Sequence, residues 1–157
     1  MGIIQYWELL KMVETDLTEK YLKYYTGQQR KFLYPTEFIV RAFLGTYPKL
    51  KPVKIKKHKE KILDLGFGDG RNLGFLCNLG FKVYGLEISN TINKRCEDLM
   101  IKNGYKVIFK MGTNHKTNFK NNFFDHVIAC HSFYYIAPET CFEDNVNEII
   151  RILKPSG

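Results

Sequence analysis

Acidic residues, paired cysteines, tryptophan and long apolar runs are all scarce in this sequence, and each shortage closes off a class of protein. No apolar run approaches the roughly 20 residues needed to cross a bilayer. The start MGIIQYWELLKMVE places acidic residues where a secretory leader needs a longer apolar stretch. A cytoplasmic location without a membrane partner is therefore expected. Gly2 follows Met1, but position 6 is Tyr6 rather than Ser or Thr, so an N-myristoyl anchor is not supported. The four cysteines, Cys77, Cys96, Cys130 and Cys141, form no CxxC and no CxxH pair. Zinc and a disulfide framework fall away, and the thiols are expected to pack as small hydrophobes.

With 16 acidic against 24 basic residues the net charge is +8, which taken alone points to nucleic acid. Its distribution argues otherwise. The stretch Lys49–Lys61 (KLKPVKIKKHKEK) holds seven lysines against the single Glu60, a local +6 that leaves only +2 for the other 144 residues. Read blandly, this is a solvated, self-repelling connector, and the competing reading is docking of an anionic substrate or polyanion. Hydrophobic residues at 45% and charged residues at 25% exclude disorder, fibre and coiled coil for the chain as a whole. At 157 residues, one compact core is expected.

Two proline-containing breaks, Tyr47-Pro48 and Lys51-Pro52, separate an aromatic-rich first third from a regular remainder. Before them, Phe38, Ile39, Ala42 and Phe43 fall at helical spacing, with Pro35 suited to a first turn and Gly45 to a stop. After them, KILDL, KVYGL, KVIF and HVIAC read as strands. A helix is predicted from the cap Ser89 through Ile92, Cys96, Leu99 and Met100 to Gly104. Another runs from about Pro138 to Leu153, with Phe142, Val146, Ile149, Ile150 and Leu153 as its apolar stripe. This alternation implies βαβ units and a mainly parallel sheet, which binds ligands at the carboxyl ends of its strands.

The chemistry gathers after the first strand, in Asp64-Leu65-Gly66-Phe67-Gly68-Asp69-Gly70. Glycines at alternate positions let the backbone turn tightly into a helix and let a ligand approach without meeting a Cβ. Alone, this pattern is weak, since a structural turn can look the same. Asp64 in front of it and Glu87 at the end of the second strand sharpen it, because a carboxylate there can accept both hydroxyls of a ribose. The glycines at 66, 68 and 70 do not meet the G-x-G-x-x-G dinucleotide fingerprint, so NAD is the weaker cofactor.

LDLGFGDG resembles the first motif, (D/E)xGxGxG, of the class I S-adenosylmethionine-dependent methyltransferases, and VYGLEIS resembles their second. The likeness continues through KMGTNHKTNF and NNFFDHVIACHSFYYI to RILKPSG, covering about Lys61 to Gly157. It implies a Rossmann-like three-layer α/β/α sandwich with S-adenosylmethionine as cofactor and S-adenosylhomocysteine as product. It further implies that Gly66, Phe67 and Gly68 line the methionine part of the cofactor, with Gly70 also cofactor-binding, and that Asp64 supports the cofactor's amino group. Glu87 is the ribose carboxylate and Ile88 flanks the adenine. The family often has an acidic residue after the third strand. Here Thr113 is the positional match and Asn114 the better hydrogen-bonding candidate. Cys130 and His131 are expected to face the sulfonium and the substrate, with His131 as base or substrate orienter. Its bland alternative is a strand-end histidine bonded to backbone.

The resemblance also implies a division into a helical arm or lid (1–48), the lysine-rich linker (49–60) and a partial cofactor domain (61–157). Tyr25 and Tyr34 are the lid's expected cofactor contacts, although core filling explains such aromatics equally. The family's sheet has seven strands in the order 3-2-1-4-5-7-6, and three are missing. HVIAC then becomes an exposed edge, so either the chain is a piece of a longer one or another chain, such as a second copy, covers it. The expected reaction is methyl transfer to a small molecule, on oxygen of a sugar or phosphoramidate in surface-polysaccharide synthesis, with a thiol-type acceptor as a neighbouring reading. Two alternatives stand beside it: a nucleic-acid methyltransferase or binder using the lysine run, and a cofactor-binding module without turnover. The fourth strand ends in Cys130-His131-Ser132-Phe133 rather than (D/N)PP(Y/F), which argues against base methylation. No metal is expected, since Asp125 begins that strand instead of ending it.

Overall fold

A computed structural model describes residues 20, 23–24, 34–45 and 60–155. By packing, residues 1–31 form one unit and residues 32–157 another. Of the first unit, only Lys20, Lys23 and Tyr24 are described, all helical. Tyr25 and nearly all of the lysine-rich linker lie outside the described residues.

Four parallel strands build the sheet: β1 (Lys61–Leu65), β2 (Lys82–Glu87), β3 (Val107–Met111) and β4 (His126–Ile128), in the order β3-β2-β1-β4. The predicted βαβ reading holds because β1 and β2 are buried on both faces, as strands covered by helices must be. Register aligns Asp64 with Gly85 on one side and Ile128 on the other, so the ends of β1, β2 and β4 open onto one corner. Beneath that corner, Leu63, Leu65, Tyr84, Leu86, Phe119, Phe124 and Ile152 form a closed core. Tyr84 meets Phe119, Phe123 and Phe124 edge to face, with ring centroids 6.0, 5.5 and 5.2 Å apart.

Helix α1 (Glu37–Leu44) starts two residues after Pro35 and stops at Gly45, whose φ of 71° suits the left-handed cap. Its Phe43 packs on Phe81 and on His126, while His126 Nε2 lies 3.1 Å from a Glu60 carboxylate oxygen. His126 is thus fixed at the opening end of β4, away from the corner. Helix α2 (Leu73–Asn78) follows the glycine turn, and α3 (Asn90–Lys102) is capped by Ser89, whose Oγ accepts from the Ile92 N–H at 3.4 Å.

Helix α4 (Phe142–Ile152) differs from expectation at its start and in its face. Pro138–Thr140 form a turn instead of a first helical turn, with Glu139 at φ 67° and Thr140 Oγ1 donating to the Ala137 carbonyl. Asp144 then accepts from the Cys141 N–H at 2.8 Å and closes a capping box. Phe142 and Ile150, predicted for the apolar stripe, are 44% and 65% exposed, whereas Asn145 and Glu148 are buried. The reason is polar satisfaction. Glu148 accepts from the Thr117 N–H and hydroxyl and from Arg151, so it belongs inside. HVIAC contributes only three residues to β4, and after α4 the chain returns to pair Leu153 with Phe124. No described helix is long and apolar enough to cross a membrane.

Candidate functional site

The corner between β1 and α2 is shaped by what lies behind it. Gly66, Gly68 and Gly70 have φ of 67°, 56° and 77°, all left-handed. At Gly66 the space is also closed, since a Cβ would come 2.3 Å from Ser132 Cβ. Ser132, buried just past β4, donates its hydroxyl to the Leu65 carbonyl. This contact locks the segment after β4 against the turn after β1. The ring of Phe67 is buried over Gly85, where a Cβ would sit 2.8 Å from Phe67 Cδ1, and meets Phe109 at 5.2 Å between centroids. Its side chain is committed to packing, which leaves its backbone to face the corner.

Glu87 closes the corner from β2. One carboxylate oxygen accepts from the Gly68 N–H at 3.2 Å and the other from the Ile88 N–H at 2.9 Å. Burial raises its pKa, and these backbone donors pull it back. A carboxylate offers about four acceptor sites, so Glu87 retains capacity for hydroxyl donors. Its own carbonyl receives the Asn93 side-chain amide at 3.2 Å.

Asp64 is 1% exposed, and neither of its carboxylate oxygens has a hydrogen-bond partner. Its pKa is raised from 3.8 to about 7, chiefly by burial and then by the charge of Glu87, with Asp69 adding to it. Asn72, at the entry to α2, stands beside Asp64 and offsets part of the rise without completing a hydrogen bond. An unpaired buried carboxylate is costly. A cationic group seated at the corner supplies what Asp64 lacks. Asp69 is already gripped by Arg71 through contacts of 3.0 and 2.6 Å. Cys96 lies behind the turn, its Sγ 3.3 Å from the Gly68 carbonyl, and burial pushes its thiol up to about 12. It is inert packing at neutral pH.

The other sequence-predicted residues surround this corner unevenly. Ile88 is half exposed, beside Glu87. Thr113 and Lys116 exchange backbone hydrogen bonds of 3.2 Å across a tight turn. In that turn, the Asn114 amide donates to the Ser132 and Tyr135 carbonyls at 2.8 and 3.1 Å. Its NH2 group is thus occupied in holding the segment after β4. Cys130 is half-buried. His131 is exposed with φ 59°, an uncommon backbone state for a non-glycine residue. Tyr34 is 79% exposed.

Sequence reasoning missed Ser132, Asn72 and Asn145. Asn145 is fully buried in α4 and donates to the Phe133 and Tyr135 carbonyls at 3.1 and 3.0 Å. Its position inside a helical stripe was the available signal, because a polar residue on a buried face needs a specific partner.

Residues 62–157 match the model of the methyltransferase domain family. Among solved structures, the PH0226 protein of Pyrococcus horikoshii is 32% identical, with a TM-score of 0.59 over 66% of this chain and 48% of its own. A SAM-dependent methyltransferase from Aquifex aeolicus has the same fold at 23% identity, TM-score 0.55, over 63% of this chain and 54% of its own. The YcgJ protein of Bacillus subtilis shares it at 20% identity, TM-score 0.56, over 64% and 42%. The chain therefore spans about half the length of these structures. No curated protein matches it.

Proposed function

Because the chain belongs to the class I, Rossmann-like methyltransferase domain family, whose cofactor is S-adenosylmethionine, we propose that its first βα corner holds that cofactor for methyl transfer to a small molecule. The observation that carries this reading is Asp64, a buried carboxylate with both oxygens unpaired, next to a second carboxylate that already grips the glycine turn. That pair suits a ligand with a cationic amino acid end and a ribose. Asp64 would hold the ammonium, Glu87 the sugar hydroxyls, and the backbone at Gly66–Gly68 would admit close approach. Bound there, S-adenosylmethionine supplies a methyl group on a sulfonium, an already activated electrophile.

The chain's remaining task is to align an acceptor and, for a hydroxyl, to take its proton. His131 is the proposed base, exposed at the exit of β4 in a strained backbone state. A soft thiol acceptor needs no such base. Within small molecules, we assign the acceptor to a sugar or phosphoramidate oxygen. The support is the likeness of YPTEFIVRAFLGTYP, from Tyr34 to Pro48, to enzymes of surface-polysaccharide synthesis.

Calorimetric titration of the protein with S-adenosylmethionine, S-adenosylhomocysteine and NAD tests the cofactor reading. Both sulfur nucleosides are expected to bind in the micromolar range and NAD not to compete. Tight NAD binding, or steeply salt-dependent RNA binding that excludes the nucleosides, overturns it. For the acceptor, His131→Ala is expected to slow transfer to a hydroxyl by about 10²-fold or more while leaving cofactor affinity within twofold.

A further inference from the structure

His131 sits at φ 59°, a left-handed state that few non-glycine residues adopt and that persists only where the surroundings enforce it. The residues that follow show what enforces it. Ser132 is seated beneath Gly66 and gives its hydroxyl to the Leu65 carbonyl. The Tyr135 N–H closes a turn onto the Ser132 carbonyl at 3.2 Å. Two side-chain amides from other elements grip the same turn. Asn114, in the turn after β3, donates to the Ser132 and Tyr135 carbonyls at 2.8 and 3.1 Å, and Asn145, in α4, to those of Phe133 and Tyr135 at 3.1 and 3.0 Å.

The hydrogen bonds balance on both sides. Carbonyls only accept, so each amide must present its NH2 group, and each NH2 has two hydrogens for its two carbonyls. The Tyr135 carbonyl, with two lone pairs, takes one bond from each amide. The amides hold the turn by its backbone alone, while His131, Tyr134 and Tyr135 keep their side chains exposed. We infer that Asn114 and Asn145 are positioning residues for His131: with Ser132 they clamp the 132–135 turn to three separate elements and so fix the left-handed backbone from which the proposed base projects. The inference rests on His131 serving as that base, but the clamp itself is read without ligand.

A residue at positive φ gives a strong intraresidue HN–Hα Overhauser effect, because that dihedral brings the two protons close together. In the full chain, this signal at His131 is compared between the parent and Asn114→Ala, a change at a partly exposed site. It is expected to be strong in the parent and weak in the variant. His131→Gly relieves the strain, so in the parent it is expected to raise the melting temperature by about 2 to 4 °C. On the Asn114→Ala background, where the backbone is free to relax, that gain is expected to drop to about 1 °C or less. If Asn114 only packs, its loss lowers the melting temperature yet leaves the His131 signal and the full glycine gain intact, and that result overturns the inference. Should Asn114→Ala fail to fold, Asn114→Ser is read in the same way, and a parent that gains nothing from His131→Gly is equally fatal. Transfer to a hydroxyl that is unchanged in His131→Ala, beside a signal lost in Asn114→Ala, upholds the clamp and refutes the base.

Discussion

Asp64 and Gly66 sit two residues apart and fail in different ways when changed. Asp64→Asn removes an ionisation whose midpoint is about 7. The variant is expected to bind S-adenosylhomocysteine more weakly than the parent above neutrality and to lose the parent's rise in affinity between acid and alkaline pH, as read by calorimetry. Gly66→Ala meets both a left-handed φ of 67° and the Ser132 Cβ at 2.3 Å. It is expected to cost roughly 2 to 4 kcal/mol in a denaturant melt. Adding Ser132→Gly is expected to relieve the clash but to forfeit the Ser132 hydroxyl's hydrogen bond to the Leu65 carbonyl, leaving a cost of roughly 2 kcal/mol from the backbone and the lost bond. At this scale, Asp64, Gly66, Gly68 and Glu87 were legible because their relation is local: a strand, a turn, and a second strand in register beside the first. Ser132 and Asn72 were not. Ser132 matters through Leu65, 67 residues away, and Asn72 through Thr36, so neither shows in any short window.

Among the elements, α4 is the most informative. Its periodicity announced a helix, but two of its three buried residues are polar, Asn145 and Glu148; the Glu148 carboxylate meets Thr117 and the Asn145 NH2 group meets the Phe133 and Tyr135 carbonyls, partners that pattern alone does not locate. Asn145 fastens the helix to the segment carrying Phe133 and Tyr135. Asn145→Asp places a carboxylate against two carbonyl oxygens in a fully buried position. Thermal melts are expected to show a loss of roughly 3 kcal/mol or more at neutral pH, partly regained on acidification as the new carboxyl takes up a proton and donates again. The opening of α4 was misjudged by about a turn because Pro138 suits a helix start as well as it suits the turn it makes. β1, β2 and β3 were legible from short apolar runs. β4 proved shorter than HVIAC, since the chain leaves the sheet to bring Ser132 under Gly66.

For the molecule as a whole, Asp64 and Glu87 are expected to make stability fall as pH rises toward neutrality. Asp64 keeps its proton in the folded chain up to about 7 and loses it near 3.8 when unfolded. Between those values the native state binds more protons, so each step up in pH favours unfolding, by roughly 4 kcal/mol over the window. Glu87 acts in the same direction. Asp125 and Glu148 have lowered pKa values and act oppositely; their contribution is present above the ordinary carboxylate range and is lost only in stronger acid. The ligand-free protein is therefore expected to melt highest in mild acid, near the low end of the Asp64 window, and lower at neutral pH. S-adenosylmethionine is expected to raise the melting temperature more at neutral pH than in acid. A scan of melting temperature against pH, with and without ligand, checks both expectations.

Ser132 resting under Gly66 also makes the two halves of the proposed site one mechanical body. An acceptor that displaces the stretch around His131 pushes directly on the turn that seats the nucleoside, and the nucleoside pushes back. Linkage then requires that whatever factor either ligand imposes on the other's dissociation constant is returned unchanged. Under the proposed function, capture of the two reactants is therefore expected to be interdependent, not a pair of separate events.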